Sequence, residues 1–135
     1  MVTQLHVIAT SEEGTRAALR AARQLKRRLK VARTVLLVPC TAAQAITTPD
    51  ERLDTVENYR QLASETGVDV VVRMCFGSTC GEMARWMLPP GSTTVVGGRR
   101  RWWWPTRAQR MADTLERLGH QIVFADASGP DHATV

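Results

Sequence analysis

Cysteine is scarce and odd in number: Cys40, Cys75 and Cys80 are the three in 135 residues. That count argues against a disulfide framework. Four residues separate Cys75 from Cys80, which is not a zinc-ribbon spacing, and no nearby pair of histidines completes a tetrahedral site. Cys40 and Cys75 end the second and third expected strands, and Cys80 begins the next helix. Without ligand partners at the right spacing, they read as structural thiols and not as a redox or metal centre. Long apolar runs are missing too: Val68 to Val72 falls far short of the roughly 20 residues a membrane helix takes. At the start of the chain His6 follows Leu5, and Ser11, Glu12 and Glu13 end the apolar run. No signal peptide is therefore expected, and the cytoplasm is the expected compartment. His6, His120 and His132 have no serine or cysteine nucleophile in a recognisable motif, so no catalytic residue is assigned.

What is present suits one soluble domain. Hydrophobic residues make up 44% of the chain and charged residues 23%, enough for a core inside an ordinary polar surface. The formal net charge is +5, and its placement matters more than its size. Eight of the 18 basic residues lie between Arg16 and Arg33, and Arg99, Arg100 and Arg101 form a second cluster. The simplest reading is a solvated helix face plus a solvated loop; the same clustering also suits anionic partners.

Five runs rich in branched apolar residues alternate with helical patterns. The expected strands are Leu5 to Thr10, Thr34 to Pro39, Val68 to Met74, Thr93 to Gly97 and Gln121 to Ala125. They lack hairpin turns between them and several are apolar almost throughout, as parallel strands covered on both faces are. In the first helix Ala18, Ala22, Leu25 and Leu29 form an apolar stripe, and Thr10 and Glu13 have capping-box spacing. Helix two starts at Thr48 and Pro49, with Leu53, Val56 and Ala63 inward and Gly67 as terminator. A third helix runs from Ser78 or Thr79 to before Pro89. Thr106 caps a fourth, whose stripe is Ala108, Met111, Leu115 and Leu118 before Gly119. Residues 1–126 thus read as one α/β domain and 127–135 as a loosely held tail. The order β-α-β-α-β-α-β-α-β with right-handed crossovers gives a doubly wound sheet, a three-layer α/β/α sandwich. Ligands of such sheets bind at the carboxyl ends of the strands where the winding direction switches, here after strands one and four.

The stretch Ala18 to Leu25 after strand one, and the path from Phe76 and Gly77 through the third helix to Thr94-Val95-Val96-Gly97-Gly98, resemble the universal stress protein family. The likeness spans Val7 to Phe124. It implies a sheet ordered 3-2-1-4-5 and dimerisation through the last strand. ATP-binding members of the family carry an acidic residue at the end of strand one. They also carry a loop of Gly, two residues, Gly, nine residues, Gly, then Ser or Thr, whose backbone N–H groups approach the phosphates. In this chain Thr10 stands at the acidic position and Gly97 matches the first glycine, but Arg100 falls at the second. Nine residues further on lie Arg110 and Met111, so Pro105 and Thr106 match only if the loop is shorter.

The resemblance and the crevice together imply a non-catalytic regulatory domain binding a nucleotide or other phosphate-bearing ligand weakly. Thr10, Val38, Gly97, Gly98, Arg99, Arg100 and Thr106 are the candidate contacts, with ATP as the candidate nucleotide and no metal. The arginines would supply the positive charge that backbone glycines supply elsewhere. The alternative is a protein-interaction module without a small ligand, acting through Arg101, Trp102, Trp103 and Trp104 and a homodimer surface. Arginine and tryptophan are the usual interface anchors, and an arginine–indole loop also suits a nucleobase. Nucleic acid is not expected as a main partner; weak, nonspecific association through the helix-one arginines is the most the sequence suggests.

Overall fold

The computed structural model describes residues 4–29, 33–40, 49–76, 88, 93–98 and 106–127. Five strands, β1 (Gln4–Ile8), β2 (Arg33–Cys40), β3 (Val71–Phe76), β4 (Thr93–Gly98) and β5 (Gln121–Asp126), form one sheet in the order β3-β2-β1-β4-β5. Every neighbouring pair is parallel. Helices α1 (Glu12–Leu29), α2 (Pro49–Glu65) and α3 (Arg107–Arg117) connect or flank them. The helix expected from Ser78 to Pro89 lies outside the described residues apart from Leu88, which is buried.

Two apolar clusters sandwich the sheet. On one face Leu5, Val7, Leu36, Val38 and Val95 pack against Ala18, Leu19 and Ala22 of α1 and Leu62 and Ala63 of α2. On the other, Ile8, Val35, Leu37, Cys75, Val96 and Leu88 pack with Ala108, Ala112 and Leu115 of α3. The alternation follows from the two-residue period of a strand. It explains why β4, between β1 and β5 and covered on both faces, is buried along its whole length.

Helix ends follow local chemistry. Ser11, and not Thr10, caps α1: its hydroxyl accepts the Gly14 N–H at 3.0 Å and its carbonyl accepts the Thr15 N–H at 2.8 Å. Both α2 and α3 end in a glycine of positive φ, Gly67 at 82° and Gly119 at 94°. In each case the glycine N–H bonds the carbonyl three residues back, and the next N–H bonds the carbonyl five back. This Schellman arrangement uses two orphan carbonyls. It also draws Val68 out of the strand expected for it: the Val68 N–H bonds Ala63 O, its side chain is buried, and pairing with β2 starts at Val71. Two side chains expected in the core are exposed. Leu53 lies well round α2 from Tyr59, Leu62 and Ala63, and Leu118 follows the last turn of α3.

Candidate functional site

Order β3-β2-β1-β4-β5 places the switch in winding direction between β1 and β4, whose registers run Leu5↔Thr93 to Ile8↔Val96. The carboxyl ends of these strands carry Thr10 and the Gly97–Gly98 pair, and Val38 nears the end of β2 beside them. Four of the expected contact residues are thus brought to one edge of the sheet. Thr106 starts α3, where its hydroxyl accepts the Gln109 N–H at 3.3 Å and its own N–H donates to Gln109 Oε1 at 2.8 Å. This is a complete capping box, as the sequence predicts for a cap at this residue. Arg99, Arg100, Arg101, Trp102, Trp103 and Trp104 lie outside the described residues.

The edge is tightly built. The Thr10 hydroxyl donates to the Gly97 carbonyl at 2.5 Å, and the Thr10 N–H donates to the Thr15 hydroxyl at 3.0 Å. Thr15 is fully buried. On the far side of β4 the Ala127 N–H bonds Gly98 O at 2.8 Å, so the ladder runs one residue into the segment expected as tail. Both glycine carbonyls of the pair are therefore occupied.

Glycine is required here by packing. A Cβ on Gly97 would collide with the carbonyl of Gly14 in the first turn of α1, and one on Gly14 would collide with Thr10 and Gly97. A Cβ on Gly98 would collide with Ala108 in the first turn of α3. The two glycines let the two helical layers close on opposite faces of β4 at its carboxyl end. Gly14 was not identified from the sequence as a site residue. Its signal was a glycine inside a helix start, where it costs about 1 kcal/mol against alanine and so needs a packing reason.

Charge near the edge is mixed. Glu12 pairs with Arg16 at 3.3 Å, and Arg16 also reaches Glu65 of α2 at 3.1 Å. These three side chains, with Tyr59 and Leu62, line a groove of about 490 Å³ between α1 and α2. The guanidinium at its centre is already matched by carboxylates.

Register pairs Cys75 with Pro39 and Cys40 with Phe76, so the two cysteines are one step apart across neighbouring strands. Cys75 is buried in the α3-side core. Cys80 lies outside the described residues. Among the described residues, no group of three His, Cys, Asp or Glu could hold a metal ion.

Comparison with solved structures decides the architecture. A universal stress protein from Archaeoglobus fulgidus superimposes with a TM-score of 0.64 at 12% identity, covering 92% of this chain and 93% of that one. This is the universal stress protein fold. A member of that family from Burkholderia pseudomallei gives 0.58 at 16% identity, over 90% and 94% of the two chains. A universal stress protein in complex with cAMP gives 0.62 at 12% identity, over 93% and 98%. No protein-family model matches the sequence, and no curated protein does. The sheet order implied by the sequence resemblance is the order observed. Among the described residues, no helix is long and apolar enough to cross a membrane.

Proposed function

We propose that this chain is a divergent universal stress protein, a non-enzymatic cytoplasmic regulatory domain that binds a nucleotide or another phosphate-bearing ligand weakly at the β1/β4 edge. The observation that carries this reading is the convergence of Thr10, Val38, Gly97 and Gly98 at the winding switch of the sheet. The cAMP complex of a protein with the same fold supports it. Arg99 and Arg100 follow Gly98 directly in the chain and supply cationic groups to phosphate. Weakness follows from Thr10: its hydroxyl is spent on Gly97 O, so the family's carboxylate contact has no equivalent.

A thermal-shift screen across nucleotides and inorganic anions tests the reading, because a ligand of the native state raises its stability. A ligand at ten times its dissociation constant adds about 1.4 kcal/mol, an upward shift of a few degrees. No shift with any nucleotide or anion would favour the second reading, a protein-interaction module acting through Arg101 and Trp102 to Trp104. The occupied hydroxyl of Thr10 favours that alternative. Either way the unit we propose is a homodimer through β5, which is an outermost strand among the described residues, with Ile122, Val123 and Phe124 half-buried.

A further inference from the structure

Helix α1 carries its charge asymmetrically. Glu12 and Glu13 occupy the first turn; from Arg20 to its end the helix has Arg20, Arg23, Lys26, Arg27 and Arg28 and no acid. At 3.6 residues per turn, Arg16, Arg20, Arg23 and Arg27 fall within an arc of about 60°, opposite the buried Ala18, Ala22 and Leu25 side. Arg16 is held by Glu12 and Glu65. Beyond it, among the described residues, no carboxylate lies within 4.0 Å of the five later cations. Arg20, Arg23, Arg27 and Arg28 are exposed. Arg23 lays its guanidinium over Gly67 in the turn after α2, which steadies the middle of the row.

Three features select the partner. The apolar side of α1 is spent in the core, where Ala18, Leu19 and Ala22 are fully buried, so the helix has no face left to insert into a bilayer. The exposed row is arginine, whose planar fork matches phosphate oxygens in pairs. Arg20, Arg23 and Arg27 span about 10.5 Å along the axis, which is the rise of about three phosphates in one strand of a duplex. We propose that the arginine row of α1 docks the phosphate backbone of nucleic acid, weakly and without regard to sequence. The row offers no aromatic ring, so it reads charge and not bases. This surface uses none of the residues of the β1/β4 edge.

Fluorescence anisotropy of the full chain with a labelled duplex and a labelled single strand tests the proposal. Three phosphate contacts predict a log–log salt slope of about −2.7 on duplex, roughly a 40-fold loss of affinity from about 50 to 200 mM salt. Arg20→Gln with Arg27→Gln leaves Arg23 on Gly67 and is expected to bring that slope to about −0.9, with circular dichroism confirming the fold. An unchanged slope in this folded variant would overturn the proposal, as would no binding to either probe at about 50 mM salt. Binding to phosphatidylserine vesicles with none to nucleic acid would overturn it in favour of a lipid surface.

Discussion

Gly14 and Gly97 meet backbone to backbone, so the smallest side chain at either position has nowhere to go. Gly14→Ala would raise intrinsic helix propensity by about 1 kcal/mol in isolation. Here it is expected to destabilise, by about 1–3 kcal/mol, because overpacking outweighs propensity. Urea unfolding gives the sign directly, and a gain in stability would mean that α1 lifts off β4 at little cost. Thr10 allows a sharper test of why this edge departs from the ATP-binding pattern. Thr10→Asp restores the acidic residue but sets a carboxylate against the Gly97 carbonyl in place of a donor. The variant is expected to lose about 1–3 kcal/mol of stability and to gain no affinity for adenosine nucleotides, by urea unfolding and calorimetry respectively.

His6 supplies a pH dependence at the same scale. It is buried in the central strand with its Nδ1 unpartnered among the described residues, and burial, then Arg73, then His120, lower its pKa. The unfolded chain binds a proton near pH 6.5 that the folded chain resists. This contribution to stability is therefore complete above pH 6.5 and is lost as the pH falls towards the depressed folded value. Denaturation midpoints measured between about pH 8 and pH 5 should fall more steeply for the natural chain than for His6→Leu. Equal slopes in the two proteins would contradict the assignment.

At the scale of elements, sequence patterns located all five strands because parallel, doubly covered strands are apolar on both faces. The caps were less legible. Thr10-to-Glu13 spacing matches a capping box, yet Ser11 takes the role because Thr10 is pulled to Gly97 across the sheet, a partner 87 residues away. Val68 looks like strand by composition and serves instead as the apolar residue closing the end of α2. Leu53 matched the expected stripe by residue type, but the helix phase is set by Tyr59, Leu62 and Ala63. The candidate edge was legible as far as the winding rule and the Gly97–Gly98 pair. The use of those glycines for helix packing depends on Gly14 and Ala108, which only the folded chain brings near. The outermost position of β5 among the described strands leads to an element-scale prediction. Light scattering at high micromolar concentration should give the mass of a dimer; a monomer mass would count against pairing through Ile122, Val123 and Phe124.

At the scale of the whole molecule, the sheet order and the two-sided core are those of the universal stress protein fold, while the sequence from Gly97 to Met111 does not match the ATP-binding loop pattern that the resemblance brings with it. We propose that a phosphate-bearing ligand binds at the β1/β4 edge of this fold, weakly. Isothermal titration calorimetry with ATP tests it most directly. The predicted dissociation constant is on the order of 0.1 mM or weaker, no more than about 5.5 kcal/mol of binding free energy, and weaker again in Arg99→Ala or Arg100→Ala. A low-micromolar constant, or no binding heat from any nucleotide at roughly millimolar concentration, would contradict it.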